Sequence, residues 1–332
     1  MKILFVLLFF QIAVSANAQD SLMKSKTIPE SYPALKYVTI QKDYFGDSDY
    51  HLYSKGNDSQ QEGEFSGNRL RINVLVPVYS KQRLSLSAGM VYTRESVSYY
   101  RKTTNESYGK GEFAKNDFDA LFSAKYRGVL WNKPFVLGGT VILGSTDFFD
   151  VKKLSGLVSA FLVLKANANT ISSVGIFANL DKAAIFPAFP VYTYWHRVPG
   201  TFWEIDMILP QKIIFRRSGV LNGWVSAGAE LVNSSFFLKQ NAEGAYSAGN
   251  YEWVSNEINS YIGYEHLLGK NFLLGIKGGH RNSVTTRLTR VNENSNNYKS
   301  RTNISSSFLS MNLSYVIPNN KTKKTVPTKN KL

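Results

Sequence analysis

From residue 70 to residue 78 every second position is apolar: Leu70, Ile72, Val74, Val76 and Val78 alternate with Arg69, Arg71, Asn73, Leu75 and Pro77. A period of two is that of a β-strand, and it puts two arginines and an asparagine on the face opposite a continuous apolar row. After a break at 80–82 the alternation returns in Leu84, Leu86, Ala88, Met90 and Tyr92, which predicts a long hairpin with a short turn. Phe118, Ala120, Phe122, Ala124 and Tyr126 repeat it, then Phe135, Leu137, Gly139, Val141 and Leu143, and near the end Leu309, Met311, Leu313 and Tyr315.

Segments such as 65–79 and 83–101 are far longer than the five or six residues usual in a soluble sheet. Their connections alternate in length: short turns at 80–82, 131–134 and 268–271, longer polar stretches at 46–62, 102–114, 241–250 and 292–297. Long tilted strands with short turns at one end and longer loops at the other are the pattern of a transmembrane barrel. The sequence therefore predicts an all-β fold, a transmembrane antiparallel β-barrel of about 12 to 14 strands over 34–317. Fourteen segments can be counted; those within 181–217 are the least regular, because Pro187, Pro190, Pro199 and Pro210 crowd them and proline cannot donate to a ladder. Tyr79, Trp131 and Tyr315 fall at short-turn ends and Tyr92, Tyr99, Tyr251 and Trp253 toward loop ends, which predicts two aromatic girdles.

The first residues change the compartment. Lys2, the apolar run 3–14 and Ala16-Asn17-Ala18 before Gln19 form the three parts of a secretory signal peptide, expected to be cleaved after residue 18. The expected organisation is a signal peptide at 1–18, an N-terminal periplasmic segment at 19–33, the barrel at 34–317 and a basic disordered tail at 318–332. There is no cysteine, which excludes a lipid-anchored lipoprotein, disulfides, thiolate metal sites and thiol nucleophiles together. Beyond the signal there is no apolar run of the roughly 20 residues that a spanning helix needs.

Tyr32-Pro33 leading into a strand, and Trp203-Glu204-Ile205-Asp206-Met207-Ile208-Leu209-Pro210 followed by another, resemble an uncharacterised family of Gram-negative outer-membrane β-barrels. The resemblance implies the barrel fold and the cell outer membrane, with its lipids as surroundings, and carries no activity.

Formal net charge is +15, and five lysines of it lie in the 318–332 tail without an acid. Export makes nucleic acid an unsuitable partner despite a pI near 9.7. On the faces opposite the apolar rows lie Arg69, Arg71, Lys125, Arg127 and Lys277, with Glu204, Asp206, Asp117 and Asp119 as partial counter-charges. A water-filled interior lined this way would weakly favour anions, so small anionic solutes are the expected cargo. Glu204 and Asp206 with Lys212 and Arg216 read as lumenal ion pairs in preference to an acid–base site. Asp47, Asp49 and His51 alternate as metal ligands would, yet an Asp- and Ser-rich stretch between strands more often marks a solvated turn. No metal, cofactor or catalytic residue is assigned, and the four histidines lie far apart in sequence. An outer-membrane pore or carrier for small solutes is the first reading. A closed structural or surface-binding barrel and a barrel hydrolase acting on lipid or peptide are the alternatives; a bulky, plugged lumen would favour the former, a serine within hydrogen-bond reach of a histidine the latter. Oligomeric state is not written in the pattern.

Overall fold

The computed structural model describes residues 32, 35–54, 60–102, 109–146, 150–182, 184, 187–240, 249–293 and 295–317. The expected signal peptide, most of the 19–33 segment and the basic tail lie outside them. Fourteen strands follow one another: β1 Lys36–Ser54, β2 Gln60–Lys81, β3 Leu84–Lys102, β4 Gly109–Leu130, β5 Lys133–Ser145, β6 Val151–Ala166, β7 Thr170–Asn179, β8 Ala188–Arg197, β9 Trp203–Leu209, β10 Lys212–Val220, β11 Gly223–Gln240, β12 Gly249–Leu268, β13 Phe272–Arg290 and β14 Ser300–Val316. Each pairs antiparallel with its sequence neighbours, and β1 closes on β14 from Lys36 opposite Val316 to Ser54 opposite Ser300. Every wall strand has two partners, as lipid demands of backbone polar groups.

Alternation decides the two faces. Phe122, Val141, Leu154, Ile262, Leu274 and Leu313 point outward and are exposed, Ile262 to 69%. In the same strands Asp119, Thr140, Lys153, Glu265 and Ser314 point inward and are buried. An apolar exterior around a polar interior inverts a soluble protein and is the architecture of outer-membrane barrels. β1 starts and β14 finishes at the end with the tight turns, which in outer-membrane barrels is the periplasmic one. Trp131-Asn132 and Leu221-Asn222 have positive φ at both residues, the mirror-image turn whose twist suits a two-residue hairpin. Trp131 and Leu221 are each 80% exposed at these tips, where an interfacial anchor belongs.

Several expectations change at the outer end. Much of stretches 46–62 and 102–114 is strand: β1 runs on to Ser54, β2 begins at Gln60, β3 ends at Lys102 and β4 begins at Gly109, while in 241–250 the described residues Gly249 and Asn250 open β12. Asp47, Asp49 and His51 therefore sit in β1 and not in a loop, with His51 Nδ1 3.2 Å from Glu62 Oε1 on β2. Cross-strand pairing with β2 satisfies this backbone, which the local Asp and Ser content alone could not foretell. By contrast the wall is low at β7–β10: β9 has only 7 residues where β2 has 22. Pro199 and Pro210 fall in the turns that flank β9, so the prolines shorten this side without breaking it.

The tall and low sides are related. β11 pairs with β10 only up to Glu230 opposite Lys212, because β10 begins there, and the outer part of β11 keeps only β12 beside it. Register shifts at Phe45/Ser48, Phe45/Tyr50, Asn256/Glu257 and Asn282/Arg287 fall in β1, β12, β13 and β14. Bulges of this kind bend strands. Beyond them the outer β11–β12 hairpin, with β12 still paired to β13 up to Tyr251 opposite Arg290, bends across the mouth until β11 approaches β4 on the opposite side. Both faces of this hairpin are buried: Asn233, Ser234, Ser235, Phe236 and Phe237 in succession, and Tyr251, Glu252, Val254, Ser255, Asn256 and Glu257. Tyr251 is only 1% exposed and the Trp253 ring packs tilted against Phe236 at 5.9 Å, so these two are hairpin core and not the outer girdle expected of them.

Candidate functional site

The lumen holds two different interiors. Against β3–β9 it is apolar: Val91, Leu121, Ile142, Leu157, Phe161, Phe177, Val191 and Ile208 form one buried cluster, and Val254 of the hairpin inserts into it. Against β8–β14, β1 and β2 charged and amide side chains are set among apolar ones such as Met207, Ile214 and Phe308, around a cavity of about 230 Å3.

The hairpin is fastened at two places. Lys153 Nζ on β6 bonds Glu252 Oε2 on β12 at 2.6 Å and lies 2.7 Å from Asp181 Oδ2, all three side chains at most 2% exposed. Across the mouth, Arg69 Nε donates to Glu95 Oε2 at 2.6 Å and its Nη2 to Ser234 Oγ at 3.2 Å, while Glu257 lies 3.6 Å from Arg69 and 3.5 Å from Arg281. Arg281 stacks 3.6 Å from the Phe45 ring centroid. An arginine fork can hold a carboxylate and a hydroxyl while its face covers an aromatic ring, which lets two guanidiniums be nearly solvent-free in one place.

The cavity floor is equally built. Tyr32 falls in the segment expected to lie in the periplasm, but it is inside the barrel. Its hydroxyl donates to Glu265 Oε1 at 2.9 Å, Arg216 lies 3.7 Å from its ring centroid and Trp224 meets it edge-on at 5.7 Å. A lone Tyr before the first strand carries no periodic signal, so only the inward acid it meets reveals its place. Around it Lys36 Nζ donates to Glu265 at 2.9 Å, Arg216 Nη1 to Glu204 Oε1 at 2.7 Å, Lys212 Nζ to Asp206 Oδ2 at 2.6 Å and Lys277 Nζ to Glu230 Oε1 at 3.2 Å. The cavity lining contains five cations (Lys36, Arg71, Lys212, Arg216, Lys277) and five carboxylates (Asp43, Glu204, Asp206, Glu230, Glu265).

All seven charges singled out from sequence are on inward positions, but they do not form one surface. Arg71, Glu204, Asp206 and Lys277 line the cavity. Arg69 is above it in the hairpin fastening, and Lys125 and Arg127 are on the periplasmic half of β4, outside the lining. Their expected counter-charges Asp117 and Asp119 are buried on the same strand. Sequence reasoning missed Asp43, Glu95, Glu230, Glu257 and Glu265; each has the inward parity of its strand, so extending the alternation through β1, β3, β11 and β12 would have found them.

Among the described residues one serine meets a histidine: Ser305 Oγ on β14 is 2.8 Å from His280 Nε2 on β13 and 2.7 Å from Asn282 Oδ1. This is the feature that would favour a hydrolase. A working pair needs a third group to orient the imidazole, and among the described residues no carboxylate is bonded to His280 Nδ1. Facing outward and exposed, the three read as a solvated polar cluster.

No family model matches the chain, and no curated protein sequence does. Among solved structures it is similar to an outer membrane channel from Pseudomonas putida F1, at 12% identity over 88% of this chain and 100% of that one, with a TM-score of 0.39. It is similar also to the outer membrane protease OmpT from Escherichia coli (8% identity, 84% and 96% covered, TM-score 0.27). The Ralstonia pickettii toluene transporter TbuX is a third (8% identity, 86% and 92% covered, TM-score 0.28). The shared feature is the outer-membrane barrel fold.

Proposed function

We propose that the protein is a gated passage for small solutes across the outer membrane, in which the inner cavity holds the solute in transit and the outer β11–β12 hairpin is the gate. The observation that carries this is the way the hairpin is attached. Its β11 edge has no β10 residue to pair with beyond Glu230, and side chains, chiefly Glu252, Val254 and Glu257, hold the hairpin across the mouth, while β12 keeps its ladder to β13 up to Tyr251 opposite Arg290. With one free edge it can swing by bending about the β12–β13 ladder while the wall below Glu230 stays closed, and a freely conducting pore is not what this lumen supports. Because the charges around the cavity cancel in number, the sign of a solute's charge is not the basis of selection there, and the weak anion preference expected from sequence gains no support from this region.

The test is conductance in planar bilayers, comparing the intact protein with a variant in which residues 237–252 are replaced by a two-residue turn. Quiet intact protein and an open variant support the gate. If both are silent while migrating as folded barrels on unheated gels, the second reading, a closed barrel whose outer surface binds a partner, takes its place; the apolar packing of Val254 against β3–β9 is what favours that reading.

A further inference from the structure

Resting on the passage reading for its physiological sense, we propose that the cavity is a binding site for a neutral, polyhydroxylated solute of about monosaccharide size. Four polar atoms in its wall have no hydrogen-bond partner: Asn73 Oδ1, Asn259 Oδ1, Ser310 Oγ and Asn312 Oδ1. Three of these residues are more than nine-tenths buried, at 3%, 2% and 7% exposure for Asn73, Ser310 and Asn312. An unmet buried polar atom costs about 1–3 kcal/mol, and native structures keep few of them without a water or ligand to meet them. All four belong to residues that line one cavity, so hydroxyls brought there would meet them after small side-chain rotations.

Register makes three of them neighbours. Asn312 lies opposite Gln41, Ser310 opposite Asp43, and Asn73 opposite Thr39, so they form one inward patch across β14, β1 and β2. Asn312 can lie flat there because residue 275 beside it is glycine: a Cβ at Gly275 would stand 2.6 Å from Asn312 Nδ2 and 2.8 Å from its Oδ1. Half-way round the barrel, on β8, the cavity is bounded by Trp195. An indole face suits the C–H face of a sugar ring, and the opposing amides suit its hydroxyls.

The charge pattern argues against a charged solute. Of the five lining cations, Lys36, Lys212, Arg216 and Lys277 already hold carboxylates at 2.6–3.2 Å, so an anion or a zwitterion that used them would have to break a pair that is buried for Arg216–Glu204 and part-buried for the others. Breaking such pairs is costly, whereas a neutral donor–acceptor solute leaves them intact. Size agrees: about 230 Å3 is below the ~300–1,000 Å3 of drug-sized sites and equals about eight waters at ~30 Å3 each.

The experiment titrates the full-length folded barrel in detergent with D-glucose, glycine and acetate by calorimetry, and follows entry of the same three into proteoliposomes carrying the hairpin-shortened variant. Saturable glucose binding is expected, about tenfold weaker in Asn312→Leu and in Ser310→Ala with gel migration unchanged, and with glycine and acetate at least about tenfold weaker than glucose. Glycine or acetate binding in place of glucose overturns the solute class and leaves the passage reading intact if that solute enters. Glucose binding unchanged in both variants overturns the site. Glucose bound in the expected way but excluded from proteoliposomes supports the site and defeats the passage reading alone.

Discussion

Lys153→Met is the most informative single change, because it removes the charge that holds the hairpin on the far wall and nearly preserves side-chain length. In the intact protein Lys153 Nζ lies 2.6 Å from Glu252 and 2.7 Å from Asp181, with the three side chains 2%, 0% and 1% exposed. Without the lysine, two carboxylates face each other at a site closed to water. Removing one member of a buried ionic group typically costs about 3–5 kcal/mol, most of it the penalty of the charge left behind. The penalty falls on the docked hairpin alone, because an undocked hairpin returns Glu252 to solvent. At about 1.4 kcal/mol per decade, the open-to-docked ratio should rise by roughly 10²- to 10³·⁵-fold. The assay is single-channel recording in planar bilayers: rare or absent openings in the intact protein, frequent ones in Lys153→Met, and intermediate behaviour in Glu252→Gln, which spares the Lys153–Asp181 pair. A Lys153→Met protein that is as quiet as the parent, and still migrates as a compact barrel on unheated gels, would refute the assignment of the hairpin as the gate.

Other outcomes follow from the wall and its interior. Val141→Arg places a cation on the lipid face and should destabilise the inserted barrel by about 2–4 kcal/mol if residue 141 is near the midplane, measured by urea unfolding in bilayers. Arg281→Met leaves Glu257 with Arg69 at 3.6 Å as its remaining cation partner by ion-pair distance, and should cost about 3–5 kcal/mol in the same assay. Tyr32→Ala removes a ring stacked by Arg216 at 3.7 Å and a bond to Glu265; it should leave the wall intact and make the periplasmic end of the cavity accessible to a water-soluble thiol reagent at a cysteine placed at Ser226. The absence of native cysteine gives that labelling a clean background.

The wall was legible because alternation is a property of single strands. The row Leu70 to Val78 and the row Leu309 to Tyr315 declare their lipid faces without reference to any partner, and the turns at 131–132 and 221–222 carry asparagines suited to positive φ. Pro190 did not abolish β8, since a proline forfeits one donor and the remaining pairs with β7 persist. The hairpin was not legible. A strand buried on both faces still reads as strand, and its clues, adjacent Phe236 and Phe237 and the inward Glu252, break the period without saying what covers them. The cavity was only half legible for a related reason: parity puts a residue on the inner face, but whether Lys125 and Lys277 meet across the lumen depends on strand tilt and height, which the sequence of one strand does not contain.

The seam between β1 and β14 has a consequence for how the molecule comes into being. Hydroxyls of Thr39 and Ser314, 275 positions apart, meet there at 3.0 Å. Every other neighbouring strand pair is joined by a local turn or loop and can zip as soon as both strands exist, whereas this pair must wait for the last strand and bear the entropy of closing nearly the whole chain. Until then β1 and the growing end both offer unpaired edges, so a chain ending before Ser300 is an open sheet prone to pair with other chains and not a smaller barrel. The cavity floor shares that timetable: Lys36 and Tyr32 reach Glu265 across 229 and 233 positions. Asn312, across the seam from Gln41, joins the inner patch only when the seam closes. Membrane-tight closure and a finished solute chamber are thus one event in assembly.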